Sequence, residues 1–437
     1  KAFRNSEQTP ETTRVCAKAP TLTDTLFSVR QPRYSASLQL AGHFNQLGGN
    51  SGAVPTQMRA ACAMLAARNA TAALRDDSNS AEGYRNLGVA YLILDRVETH
   101  LMTEAGIRWS SSTRYLQAVA ALQQAALLKP DDIVIQSDLL GVFDRMQRVD
   151  LALDCIKQIR RIRPVPVTAS DDEKKQREQL VNVEFSLEEA LARIEGQVEQ
   201  QLQNGADRFQ IAAAAHQAGA VRLAIRTLED EPIYKEQNPL ARAALGNWLI
   251  EAGRVQEGLD AIEQSSSLGG IPGLRENLAT SLVINGEYYR AIDVWREQLR
   301  ETSMGGVQAA LLTLPFLTLN PMWMGSDQYP FTQAAAAGEF IGTVRNETAA
   351  LNYQIGMAQL ELGDIPVATR SLQQVLDSAA ETPLKPLVKF YLEMLTGKKI
   401  EDKKVEPAAV EEVPPFDGEA PAKDEAAKPE TAAEKKP

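Results

Sequence analysis

Histidine titrates nearest neutrality, so general acid–base or metal chemistry in this chain would begin at its three histidines, His43, His100 and His216. Each lies in a different stretch, and none has a second His or Cys at metal-ligand spacing. Cys16, Cys62 and Cys155 are too few and too far apart for a zinc site or a disulfide framework, and they fix no compartment. Two acid pairs, Asp131 with Asp132 and Glu188 with Glu189, have the types needed to pass a proton. Both occupy positions expected in the first turn of a helix, where the helix dipole favours carboxylates without any catalytic role. There is no Gly-rich phosphate loop, nucleophile elbow or zinc-protease helix motif. The reading is therefore of a non-enzymatic protein without cofactor or metal. His216 in "AAAAHQAGA" has two readings: a residue facing a binding groove, or a satisfied or solvated side chain just before a turn.

The elements that would position such residues are helices. Of 437 residues 44% are apolar and 24% charged, enough for an extended or multi-domain core. Ala, Leu, Gln and Glu are abundant and strand-forming runs are scarce, which predicts an all-α protein. A net charge of -11 would repel a phosphate backbone over most of the surface, so no nucleic-acid partner is expected. The compact basic run "KQIRRIRP", 157 to 164, sits where cations complement a helix C-terminus. No run of about eighteen apolar residues appears, so membrane association would need a partner or a segment ahead of Lys1. Because the chain opens on Lys rather than Met, a removed leader or anchor is an expectation. Localisation stays open between a bacterial cytoplasm and an exported, periplasmic setting.

Those helices repeat. Ala118 and Ala152 are 34 residues apart, and so are Pro130 and Pro164, which close "YLQAVAALQQAALLKP" and "LALDCIKQIRRIRP". Extending the phase finds small residues at Ala66, Ala190, Ala224, Gly258, Ala291, Ala334 and Ala368, with steps of 33 or 34 broken by three insertions. Gly219, Gly253, Gly286 and Gly363 each precede the small residue by five positions. There an antiparallel helix pair must turn, and glycine ends a helix in the left-handed conformation without steric cost. In "AEGYRNLGVAYLILDR", Tyr84, Leu87, Gly88 and Tyr91 share one helical face and form the first helix of a unit completed by Ala118, Leu122, Ala125 and Pro130.

These residues resemble the tetratricopeptide repeat family over roughly 55 to 380. The resemblance implies an α-solenoid of stacked antiparallel helix pairs in a right-handed superhelix, whose first helices line a concave face that binds a peptide or protein partner. Projected onto this chain, it assigns the groove to Arg85, Val89, Leu92, Ser137, Phe209, Ala213, His216, Asn247, Ile250, Thr280, Tyr353 and Met357. The family's chaperone-tail clamp is disfavoured, since Val89 and Gly141 stand where its Asn is expected. The leading reading is a scaffold for protein–protein interaction or complex assembly. The alternative is the repeat portion of a membrane-anchored or exported cell-envelope assembly, and an enzyme with an unrecognised site comes last.

The expected organisation is a loose N-terminal segment at 1–33, N-terminal repeats at 34–166 with an insertion at 97–114, and a degenerate repeat at 167–204. Central repeats follow at 205–303, an irregular apolar helical insertion at 304–346, a repeat with a capping helix at 347–397, and a disordered Lys/Glu/Pro/Ala tail at 398–437. In the degenerate stretch Ser186 and Glu189 form a capping box for a second helix, while Leu180, Leu187 and Ile194 recur at seven, as in one long coiled-coil-like helix. The split repeat is the preferred reading. Trp109 in the first insertion, and Trp323 and Tyr329 in the second, are candidate partner contacts.

Overall fold

The computed structural model describes residues 33–49, 54–107, 112–162, 171–230, 238–267, 272–305, 337–378 and 382–400. Among them are sixteen helices and no strand. Seven antiparallel pairs account for fourteen: α1 (Arg33–Gly49) with α2 (Thr56–Asp76), α3 (Ala81–Glu104) with α4 (Ser112–Leu128), and α5 (Ile133–Arg145) with α6 (Val149–Ile162). The others are α8 (Arg208–Gln217) with α9 (Val221–Glu229), α10 (Pro239–Glu251) with α11 (Val255–Ser267), α12 (Pro272–Ile284) with α13 (Tyr288–Gly305), and α14 (Ala337–Leu362) with α15 (Ile365–Asp377). A single helix α7 (Asp171–Gln203) separates the third and fourth pairs, and α16 (Lys385–Thr396) covers the last. The protein is an α-solenoid.

Local chemistry starts and stops these helices. Ser80, Asp132, Asp207 and Asn238 accept hydrogen bonds from backbone N–H groups of α3, α5, α8 and α10, satisfying donors that the first turn leaves unpaired. Asp132 is thus spent as a cap, and Asp131 pairs with Arg161 at 2.9 Å. The turn glycines Gly219, Gly253, Gly286 and Gly363 have φ of 93°, 87°, 80° and 86°, the left-handed conformation their register requires. Gln147 occupies the same register between α5 and α6 and adopts φ of 55° despite its side chain.

Within the pairs the small residues permit close approach. Ala66, Ala118, Ala152, Ala224, Ala291 and Ala368 are buried, and a Cβ on Gly88 would stand 2.7 Å from Leu122 Cγ. One apolar cluster runs from α3 to α10 through Leu122, Leu139, Phe143, Ile211, Ile225 and Trp248. A second joins α10 to α14 through Ile250, Ile262, Trp295, Leu351 and Ile355.

Two expectations are corrected. Residues 171–203 form one helix running straight through Ser186, so no second helix begins there. Residues 171–195 contain neither Gly nor Pro, and nothing local breaks the helix. The boundary placed at 347 falls inside α14, which is continuous from Ala337. The first part of the insertion at 97–114 prolongs α3 through Glu104, burying Val97, Glu98 and Met102. Trp109, Trp323 and Tyr329, the segment before Arg33, most of 304–346 and the tail beyond 400 lie outside the described residues.

The solenoid also touches itself across long sequence distances. Helix α4 lies against α10 and α12, α14 lies against α2, and α16 packs on α2 and α3 as well as on α15.

Candidate functional site

The face expected to hold a partner is, on α10 and α12, met by the chain's own helix α4. One side of α4, with Tyr115, Val119, Leu122 and Ala125, packs in the first apolar cluster. Its other side inserts Leu116 and Ala120 against the second, with Leu116 beside Ile250 and Ile284. Gln123 donates to the Glu251 carbonyl at 2.7 Å. Asn247, Ile250 and Thr280 come together as expected groove neighbours, yet the cleft they line with Leu116, Glu251 and Ser281 has a free volume of about 20 Å³, room for a single water and not for a peptide.

Around α4 a buried polar network ties the early helices to the late ones. Arg114 pairs with Glu361 of α14 and reaches Glu98 of α3 at 3.4 Å, and its guanidinium lies 5.8 Å from the Tyr91 ring centroid. The Tyr391 hydroxyl of α16 donates to Glu98 at 2.5 Å, the Tyr91 and Tyr288 hydroxyls are 2.7 Å apart, and Arg68 donates to the Leu360 carbonyl at 2.9 Å. Burial works against the Arg114 charge, but Glu361 and Glu98 outweigh it and raise its pKa further. Burial, reinforced by nearby carboxylates, pushes the Tyr91, Tyr353 and Tyr391 hydroxyls well above the ordinary phenol range. They stay neutral at any physiological pH.

His216 belongs to a second buried cluster. Its ring stacks on Trp248 with centroids 5.1 Å apart, and Nε2 lies 2.7 Å from a Glu251 carboxylate oxygen. Arg148 pairs with the other Glu251 oxygen and donates to the His216 carbonyl at 3.1 Å. Burial dominates at His216, which is 1% exposed, and lowers its pKa despite Glu251. Nδ1 has no protein partner, which fits the neutral ring donating from Nε2, since protonation would bury an unpaired N–H. At Glu251 burial opposes ionisation, but His216 and Arg148 together prevail and hold the carboxyl below its usual range. The cluster is complete in itself: each charge is answered and no substrate-sized space adjoins it. His216 is therefore a satisfied core residue, and the groove reading of it is corrected.

Ile250, Tyr353 and Met357 are buried as well, so a partner cannot reach them in this arrangement. The remaining candidates sit on α3, α5 and α8. Arg85 pairs with Asp138 of α5 at 2.7 Å. Val89 and Leu92 are half-buried on the same side of α3. Ser137 is exposed and donates to its own helix at the Ile133 carbonyl, while Phe209 and Ala213 are half-buried at the rim of the first apolar cluster together with Leu140. Gly141 on α5 has open space where a Cβ would project.

Arg114, Glu98, Glu361 and Tyr391 escape sequence reasoning because their partners lie up to 293 residues apart. The one local hint is Glu98, a carboxylate on the face continuing Leu94 of α3. Among the described residues no group of three His, Cys, Asp or Glu could hold a metal ion, and no helix is long and apolar enough to cross a membrane.

No family model matches the chain, and no curated protein matches its sequence. Among solved structures, the chain is similar to the tetratricopeptide repeat domain of P58(IPK), at 12% identity over 82% of this chain and 99% of that one, with a TM-score of 0.23. A likeness at that score adds nothing to the helix pairs and turn glycines already described.

Proposed function

We propose that the protein is a non-enzymatic helical-repeat scaffold, and that it holds a partner's peptide segment on the part of the groove formed by α3, α5 and α8. One observation carries the reading: groove positions on α10 and α12 are taken up by α4, and those on α14 are buried, whereas Arg85, Val89, Leu92, Ser137, Phe209 and Ala213 keep access to solvent. This strip combines an apolar floor of Val89, Leu92, Leu140 and Phe209 with the Arg85–Asp138 pair and the bare backbone at Gly141. It suits an apolar segment with polar flanks.

The test is affinity capture by the full chain, quantified by mass spectrometry, against Phe209→Ala combined with Arg85→Glu. Both residues are partly exposed, so the variant keeps its helical circular dichroism. Loss of a defined partner with the fold intact supports the proposal. An identical captured set would remove it.

A further inference from the structure

A cleft with a free volume of about 290 Å³ opens between α13 and α15, with α14 as its floor, close to the lower limit of roughly 300 Å³ for ligand sites. The floor residues are Asn352, Ile355 and Gln359. At 3.6 residues per turn they lie on the side of α14 away from Tyr353 and Met357, so this cleft is separate from the face expected to hold a partner.

Close packing of α15 on α14 prepares the floor. Gly356 admits Leu372 so closely that a Cβ would stand 3.0 Å from Leu372 Cδ2, and in the same contact Ser371 Oγ donates to Gln359 Oε1 at 2.9 Å. Gln359 is only 4% exposed, and its Nε2 makes no hydrogen bond to the described residues, so both amide protons are left for whatever enters the cleft. Asn352 is buried too: its Nδ2 donates to the Thr348 carbonyl at 3.0 Å, which leaves Oδ1 as an acceptor on the same floor. The walls are cationic. Arg296 of α13 and Arg370 of α15 line opposite sides beside Leu299 and Val367, and no carboxylate lines the cleft among the described residues. Arg370 is exposed without an ion-pair partner among those residues. Arg296 meets Asp293 at 3.9 Å, an exposed pair that a ligand displaces at little cost. The other nearby acids are turned away or engaged: Glu297 and Glu301 fall on the side of α13 opposite Leu299, Glu301 pairs with Arg275 at 2.6 Å, and Asp377 accepts from Gln373.

We infer that this cleft is a second binding site, and that it takes an acidic peptide segment. The two guanidinium groups supply the charge that Asp or Glu carboxylates need, and their planar donor pairs suit carboxylate oxygens. Leu299, Ile355 and Val367 lie against the methylene stems of such side chains. Gln359 donates to a backbone carbonyl of the segment, and Asn352 Oδ1 accepts from a backbone N–H, an acceptor that a bare anion would not use.

Isothermal titration of the full chain with a blocked peptide of alternating Glu and Ala tests this. Saturable binding is expected, weakened about ten-fold or more by Arg370→Glu, whose exposed site leaves folding intact. Gln359→Met, which keeps the shape and removes the donors, should weaken it as well. The variant carrying Phe209→Ala and Arg85→Glu should bind the peptide as the unaltered chain does, so this site and the strip on α3, α5 and α8 stand or fall separately. Absence of saturation overturns the inference, as does binding indifferent to Arg370→Glu. Glutarate or inorganic phosphate binding as tightly as the peptide would overturn it too, by reducing the cleft to an unselective anion site.

Discussion

Replacing Gly258 with alanine puts a close helix crossing to the test. Helices α10 and α11 meet at Gly246 and Gly258 with no side chain between their backbones. A Cβ on Gly258 would stand 2.5 Å from the Gly246 carbonyl oxygen, 2.6 Å from Ile250 Cγ1 and 3.0 Å from the Ile250 nitrogen. Two of these three neighbours are backbone, so a rotamer change cannot relieve the clash. Helix α10 cannot slide freely either, because Glu251 is held by Arg148 and His216 and its carbonyl by Gln123. Intrinsic propensity favours alanine inside a helix by about 1 kcal/mol, whereas forcing extra volume into a packed contact costs roughly 1–3 kcal/mol and more against backbone. The net expectation is a loss of about 1–2 kcal/mol. Gly141→Ala is the matched control: it is mid-helix, with no atom within 4 Å of the new Cβ, and should gain about 0.5–1 kcal/mol. Urea unfolding followed by far-UV circular dichroism, compared at equal slopes, reads both. If Gly258→Ala moves the midpoint up together with Gly141→Ala, the close backbone crossing is wrong.

Two further outcomes follow from the buried polar clusters. Arg114→Met strands the Glu98 and Glu361 carboxylates away from water and should cost about 3–5 kcal/mol, with hydrogen exchange accelerating in α4 and at the C-terminal end of α14; an effect below about 1 kcal/mol would mean these groups are hydrated. His216 has a pKa lowered on folding, so the unfolded chain binds a proton that the native chain refuses. Its contribution to stability is full above the unfolded value near pH 6.5 and is lost as pH falls below it toward the native pKa, until both states are protonated. Glu251, also lowered, adds a further loss only below its unfolded value near pH 4.5. His216→Gln should flatten the first of these slopes in urea midpoints measured across that range; an unchanged slope would show that another group carries it.

Much of the local architecture was legible before any coordinates. The turn glycines were readable because a left-handed residue between antiparallel helices is a backbone requirement that glycine meets, and all four expected positions show it. Gln147 shows the limit: it takes the same conformation with no glycine to announce it, imposed by the pairs on either side. The split expected at Ser186 failed because a capping signal in a stretch free of Gly and Pro competes with uninterrupted helix formation and loses. The extension of α3 through Glu104 was hidden for a related reason, since a carboxylate such as Glu98 reads as solvent-facing until Arg114 and Tyr391 are seen to meet it.

The candidate site divides along the same line. By itself, the sequence determined the helices, their pairing, their turns and which side of each first helix carries the groove pattern, because each is set by side chains within about one repeat of one another. Only the tertiary structure decided that α4 would fill that face on α10 and α12, leaving Arg85 and Phe209 in reach of solvent while Ile250, Tyr353 and Met357 are buried. That outcome depends on how all the pairs stack together, since α14 and α16 return to α2 and α3. No local pattern of residues encodes such long-range contacts; they emerge only when the whole chain is packed.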